Sequence, residues 1–336
     1  MSHALDRVAK ELVSPGRGIL AADESFSTIG KRFESIGLES TEPNRRRYRE
    51  MLFTTPNLNK SISGVILFDE TLRQLGANGQ RLAEGLVAAG IHPGIKVDTG
   101  AKPLAGHANE TITEGLDGLA GRLKEYRDLG ATFAKWRAVI NIDAKMPSFN
   151  ALHTNAHALA RYAALCQEAG IVPIVEPEVL MDGDHDLERC RVVTEETLHL
   201  VFHELSLQGI RLEGMLLKPN MVISGKRCPH QATVQQVAEA TVATLKRTVP
   251  GAVPGIVFLS GGQSSIVATQ HLDAMNKIGN LPWSLSFSYG RALQDDALKT
   301  WKGDDANLAS AQAIFAKRCA NNSAAALGQY SLEMEK

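Results

Sequence analysis

Eight strand-sized apolar runs alternate with helical patterns along this chain, and that alternation restricts the fold more than any other feature. The runs cover Gly18–Asp23, Ile62–Phe68, Gly94–Asp98, Thr132–Ile140, Ile171–Glu178, Leu212–Lys218, Gly255–Ser260 and Leu285–Tyr289. Three stretches within them, Gly64 to Phe68, Ile171 to Val175 and Gly255 to Leu259, carry no polar alternation. Strands read this way when both faces are covered, as in a parallel sheet beneath helices. Between the runs, Thr233 and Gln236 make a capping box, followed by Val237, Ala238, Thr241, Val242 and Leu245 at helical spacing until Pro250-Gly251. A second helix is expected from Thr194, with Leu198, Val201, Phe202 and Leu205 on its apolar face, and a third over Leu152 to Ala169, closed by Gly170. The first sixteen residues read as a short amphipathic helix with Leu5, Val8 and Leu12 on one side. Eight strand–helix units in 336 residues, without a linker or a shift in composition, predict an α/β fold. The expected form is a (β/α)8 TIM barrel as a single domain over residues 1–336, with extra N- and C-terminal helices. A doubly wound open sheet would carry a glycine-rich turn after its first strand, which GILAADES lacks.

Charge narrows the function. Thirty-six Lys and Arg against 37 Asp and Glu leave a net charge of −1, without the basic excess of a nucleic-acid binder. No apolar run approaches the ~18 residues of a membrane span, and the N-terminus lacks the pattern of a secretory signal. A cytoplasmic location is expected, although a mature organellar protein would read the same way. Cys166, Cys190, Cys228 and Cys319 are far apart and form no CxxC pair, so neither disulfides nor zinc are implied. His153/His157 and His199/His203 have the i, i+4 spacing of helical metal ligands but no accompanying carboxylate motif. Asp182 to Asp186 (DGDHD) lacks the ligand order of a calcium loop and reads as a solvated acidic turn. Arg45-Arg46-Arg47 reads as a charged helix face or a subunit contact.

In a barrel the carboxyl ends of the strands open on the active site, so polar residues there are the candidates. They are Asp23-Glu24-Ser25, Asp69-Glu70, Lys96 and Asp98, Lys135 and Arg137, Glu176 and Glu178, Lys218, Ser260-Gly261-Gly262, and Ser288 to Arg291. Period-two alternation puts both members of Lys96/Asp98, Lys135/Arg137 and Glu176/Glu178 on one face. Three strands thus send paired charges to one pole. Lys218 ends a dry run, where a neighbouring cation such as Lys135 or Arg137 would favour the uncharged amine of a Schiff-base nucleophile. From the residues alone, Lys96, Lys135 and Lys218 all stay open for that role. Ser260-Gly261-Gly262 and Gly290-Arg291 follow the seventh and eighth runs, where barrels frequently bind phosphate. Ser25, Thr28, Lys31 and Arg32 after the first run could make a second anion site, so a substrate with two phosphates would use both.

These residues fall within LAADES (20–25), GIKVD (94–98), FAKWR (133–137), IVPIVEPE (171–178), DGDHD (182–186), LLKPNM (216–221), FLSGGQS (258–264) and FSYGRAL (287–293). In that order the segments resemble class I fructose-bisphosphate aldolases from about residue 16 to 330. The resemblance implies reversible cleavage of fructose 1,6-bisphosphate to dihydroxyacetone phosphate and glyceraldehyde 3-phosphate in glycolysis and gluconeogenesis. Lys218 would be the Schiff-base nucleophile, Glu176 the acid/base for dehydration, Asp23 the carboxylate near the C4 hydroxyl and Lys135 the companion cation, with Glu178 helping to hold them. Ser260, Gly261, Gly290 and Arg291 would take the 1-phosphate. Ser25, Thr28 and Lys96, helped by Arg32 and Arg137, would surround the 6-phosphate. No metal or other cofactor is implied, because the iminium does the polarising. Relatives suggest a homotetramer.

Three other readings compete: a preference for sedoheptulose 1,7-bisphosphate, a phosphosugar-binding scaffold without turnover, and a metal-dependent lyase that EDTA would silence. The chain departs from the family in two places. Phe26-Ser27-Thr28 stands where Thr-Gly-Ser is usual, and the last tyrosine is Tyr330 rather than a tail-end residue that aids enamine protonation. Deuterium exchange into dihydroxyacetone phosphate is therefore expected to be slower than in tailed relatives. Exchange at their rate would refute this.

Overall fold

All eight expected strands stand side by side in the structure, a computed structural model that describes residues 2–336. The expected domain span of 1–336 includes Met1, which lies outside the described residues. The chain forms β1 (Gly18–Ala22), β2 (Ile62–Leu67), β3 (His92–Lys96), β4 (Gly100–Pro103), β5 (Thr111–Glu114), β6 (Phe133–Ile140), β7 (Val172–Val179), β8 (Leu216–Leu217), β9 (Gly255–Phe258) and β10 (Ser284–Tyr289). Parallel pairing in the order β1-β10-β9-β8-β7-β6-β3-β2 closes the barrel, while β4 and β5 make a separate antiparallel hairpin.

Alternation along the strands sorts their side chains into two layers. Leu20, Ala22, Trp136, Val175 and Leu217 pack outward under the helices, whereas Ile19, Ala21, Phe133, Val172, Ile174, Leu216 and Val257 form the inner cluster. Helix Ser2–Leu12 plugs the amino-terminal pole with Leu5, Ala9 and Leu12. Glycine on the strands makes room for this filling. A Cβ on Gly255 would meet Val13 at 2.6 Å, and one on Gly94 would overlap the Phe133 ring.

Three differences from the sequence expectations have local causes. The sixth strand shrinks to two residues, because Leu212–Gly214 turns as a 3-10 helix before it. The long helix expected from Thr194 is Leu187–Leu207, with Asp186 accepting from Arg189 N–H at 2.8 Å as its N-cap. The helix expected from Leu152 is Phe149–Glu168, capped by Ser148. The hairpin was not anticipated. It covers the edge that β6 presents beyond the end of β3, where Thr113 and Thr111 donate to the Arg137 and Val139 carbonyls at 2.7 and 2.9 Å. No described helix is long and apolar enough to cross a membrane.

Candidate active site

The inner layer is apolar at the bottom of the barrel and charged at the top, and the period-two register makes the change. Ile19 and Ala21 lead to Asp23, Phe133 to Lys135 and Arg137, Val172 and Ile174 to Glu176 and Glu178, and Leu216 to Lys218. Lys135, Glu176 and Lys218 are each no more than 4 % exposed. Lys135 Nζ lies 2.7 Å from Asp23 Oδ2 and 3.4 Å from Glu176 Oε2. Lys218 Nζ lies 3.2 Å from Glu176 Oε1. One carboxylate is therefore shared between two lysines, and its Oε2 accepts no hydrogen bond. Lys218 sits just past β8, with its N–H donating to Val175 O at 2.8 Å, which fixes where the stem enters the barrel.

Electrostatics divides the roles. Burial works to raise the Asp23 carboxyl, but Lys135, Lys218 and Lys96 around it, and the hydrogen bond from Lys135, hold it at about 2. Burial likewise opposes the Lys135 charge, yet Asp23, Glu176 and Asp98 outweigh it and keep the ammonium well above its ordinary value. In the resting site Asp23 is thus an anion and Lys135 a cation. Of the two cations weighed for the place beside Lys218, Lys135 shares its carboxylate, while the Arg137 guanidinium pairs with Glu178.

Around this quartet lie the other expected residues. Lys96 pairs with Asp98 at 2.7 Å and neighbours Lys135 across the β3–β6 register. Asp98 also accepts from Arg137 N–H at 3.3 Å. Ser25 caps helix Phe26–Glu34, its Oγ lying 3.1 Å from both the Ser27 and the Thr28 hydroxyls. Those hydroxyls face solvent, so the departure at Phe26-Ser27-Thr28 keeps three hydroxyls together. Phe26 stacks edge-on against Phe68 beneath the Arg45 guanidinium. Lys31 stands exposed on the same helix. Arg32 is committed to Glu24, to Gln294 and to Asp295 at 3.0 Å. Arg49, fully buried and missed by sequence reasoning, donates to Glu24 as well.

After β9 the turn Ser260-Gly261-Gly262 runs through φ of +55° at Gly261 and +86° at Gly262, a backbone that glycine adopts without strain. Helix Ser265–Ile278 starts directly behind it, and Gly290 precedes helix Arg291–Trp301. The exposed Arg291 guanidinium reaches this turn, Nη2 lying 3.0 Å from where a Gly262 Cβ would stand, so backbone N–H groups, helix starts and a cation come together in a chemistry suited to an anion. Behind the turn, Gln263 N–H donates to Ser260 O at 2.9 Å, and Gln263 Oε1 accepts from His271 Nδ1 at 2.6 Å.

His271 provides a pH signature. Burial pushes its imidazole down to about 4 from an ordinary 6.5. With its folded value below its unfolded one, its contribution is fully present above pH 6.5 and is lost as the pH falls toward 4. Between pH 7 and 4.5 this amounts to about 2 kcal/mol. His271→Gln is expected to shrink the pH dependence of unfolding free energy by that amount in urea titrations at the two pH values. An undiminished dependence would count against the assignment.

The residues set aside on sequence grounds have structural employment. Glu204 is buried between His153 and His157, at 3.1 and 2.9 Å. His199 and His203 are exposed, and all four cysteines are buried and free. Arg45, Arg46 and Arg47 pair with Glu70, Glu50 and Asp305 of the same chain. The acidic turn is only partly solvated: Asp186 caps a helix, and His185 is buried with neither ring nitrogen hydrogen-bonded.

Comparison with known proteins bears on what this arrangement is for. A family profile described as "Glycolytic: Fructose-bisphosphate aldolase class-I" matches residues 4–336. A protein of Xanthomonas campestris called "Probable fructose-bisphosphate aldolase class 1" is 59% identical over 327 residues, covering 97% of this chain and 98% of the relative. The fructose-bisphosphate aldolase of Dictyostelium discoideum is 55% identical, covering 97% of this chain and 92% of its own. Among solved structures, fructose-bisphosphate aldolase from Plasmodium falciparum, in complex with TRAP and a small-molecule inhibitor, superposes with a TM-score of 0.97 at 50% identity. The match covers 98% of this chain and 96% of that one.

Proposed function

This chain belongs to the class I fructose-bisphosphate aldolases, and from that premise we propose that it cleaves fructose 1,6-bisphosphate through a Schiff base on Lys218. The observation that carries the proposal is the shared carboxylate, with Lys218 and Lys135 on opposite oxygens of Glu176 and Asp23 on Lys135. A buried ammonium–carboxylate pair and a buried amine–acid pair carry the same net charge, so moving a proton from Lys218 to Glu176 adds none to the site. That transfer frees the amine to attack the C2 ketone and leaves Glu176 as the acid that expels the carbinolamine hydroxyl as water. Asp23, ionised in the resting site, takes the proton of the C4 hydroxyl while the C3–C4 bond breaks and its electron pair enters the iminium. Glyceraldehyde 3-phosphate leaves. The enamine is protonated at C3, and hydrolysis releases dihydroxyacetone phosphate. Lys135 stays charged throughout and stabilises oxyanion character beside it.

In this reading Ser260, Gly261, Gly262, Gly290 and Arg291 seat the 1-phosphate, and Ser25, Thr28 and Lys96 the 6-phosphate. Arg137 and Glu178 set the rim, and Arg32 acts from behind through Glu24, near Lys31. Tyr330 does not reach into this chemistry: it is buried and donates to Glu335 at 2.6 Å. One barrel domain, a cytoplasmic location like that of the relatives called cytosolic in Arabidopsis thaliana, and a homotetramer complete the reading.

Borohydride trapping tests it. Incubation with dihydroxyacetone phosphate and EDTA, reduction and peptide mapping should place the adduct on Lys218. An adduct on Lys135 or Lys96 would reassign the roles. No adduct despite phosphosugar binding would point to a scaffold, and activity lost to EDTA to a metal-dependent lyase.

A further inference from the structure

We propose that Lys226 is a further ligand of the phosphomonoester seated at Ser260-Gly261-Gly262, held in reserve by Asp182 until that phosphate arrives. The side-chain position that Gly262 leaves empty is approached from two sides. A Cβ there would lie 2.9 Å from Lys226 Nζ and 3.0 Å from Arg291 Nη2. Two cations that meet at one point cannot be more than about 6 Å apart, and they repel unless an anion lies between them. Arg291 makes no ion pair among the described residues, and Lys226 has only Asp182, at 2.6 Å on an exposed rim. An exposed pair of this kind is weak and yields readily to a dianion that meets both cations.

The placement of Lys226 is built into the fold. Its N–H donates to Met181 O at 2.8 Å, and on either side Gly225 N–H and Arg227 N–H donate to His185 O and Gly183 O at 2.8 and 3.0 Å. The segment after β8 is thereby sewn to the segment after β7. Met181 in turn packs directly on Gly261, whose Cβ would overlap its methyl group. The backbone of Lys226 is thus fixed relative to the turn, which reduces the entropy lost when the side chain engages.

The inference rests on the reading of that turn and Arg291 as the 1-phosphate seat, and the experiment separates the two. Inorganic phosphate inhibition and dihydroxyacetone phosphate binding would be measured for the parent, K226A, K226R, D182N and R291A, together with kcat and KM for fructose 1,6-bisphosphate. K226A should weaken both ligands about tenfold and raise KM rather than lower kcat, with K226R recovering most of the loss. D182N, which frees the ammonium, should tighten binding about two- to threefold. Opposite signs for the two variants are the signature. If D182N weakens binding together with K226A, the pair is only a structural clasp and the proposal fails. It fails equally if R291A weakens binding and K226A does not. If R291A itself has no effect, the phosphate seat lies elsewhere and both readings fall.

Discussion

Lys218→Met is expected to lower kcat by at least about 10⁴-fold and to abolish the borohydride-reducible adduct, while dihydroxyacetone phosphate still binds within a few-fold of the parent. The expectation follows from how the site divides its work. The proposed phosphate seat is made by turns after β9 and β10, none of which depends on the Lys218 amine. The covalent step, in contrast, has no substitute nitrogen at hand, because Lys135 is held as a cation by Asp23, Glu176 and Asp98. Methionine fits the dry stem of a residue that is 3 % exposed, and Glu176 keeps Lys135 as a partner, so the fold should survive. Lys218→Arg, which keeps the charge but cannot form an imine at neutral pH, should be equally inactive. Thermal unfolding alongside kinetics separates loss of chemistry from loss of structure. Turnover above the stated floor in a well-folded Lys218→Met protein, or an unchanged adduct mass, would remove Lys218 from its place in the mechanism.

The barrel was legible because its strands are covered on both faces. Gly64 to Phe68 and Gly255 to Leu259 have no polar alternation, as strands beneath helices on both faces require, and eight strand-sized runs alternating with helices count to a closed parallel barrel. The hairpin of β4 and β5 was not legible, since Gly100–Pro103 and Thr111–Glu114 are short, largely solvent-facing and recognisable only by the β6 carbonyls they cover. The starting point of helix Leu187–Leu207 was hidden by its first turns: Asp186 looked like one acid among several, although it is the cap. At the site, residue types and their pole could be read, because period two carries an apolar inner row into a charged one. Which lysine faces which carboxylate could not. Asp23, Lys135, Glu176 and Lys218 lie in or just past four different strands, and no spacing along the chain encodes a distance across the barrel. Lys226 was missed for a related reason. It lies eight residues past Lys218 in an irregular segment, and its only sequence signal is to be a cation in a loop that follows a strand's carboxyl end. Its approach to Gly262 depends on the seam between two loops, which pattern does not show.

Glu176→Gln and Asp23→Asn should both lower fructose 1,6-bisphosphate cleavage, by about a hundred- to ten-thousandfold, yet differ in what can be trapped. Glutamine keeps the shape of Glu176 between the two lysines but can neither take the proton of Lys218 nor deliver one to the carbinolamine hydroxyl. Attack on the ketone then waits for Lys218 to lose its proton to solvent, and dehydration is slow as well. Because borohydride reduces the iminium and not the carbinolamine, the reduced adduct with dihydroxyacetone phosphate should form far more slowly in Glu176→Gln. Asp23 acts later, at the C4 hydroxyl, which dihydroxyacetone phosphate lacks. Asp23→Asn should therefore form the adduct at close to the parental rate while failing to cleave the hexose. The two carboxylates also sit differently toward the cations: Asp23 touches Lys135 alone, whereas Glu176 bridges both lysines. That asymmetry is the structural reason for assigning the imine step to Glu176 and the bond-breaking step to Asp23. Reversed behaviour, with trapping lost in Asp23→Asn and kept in Glu176→Gln, would exchange the two roles. Equal loss in both would mean that the quartet acts as one proton-transfer unit and that no single step belongs to either acid.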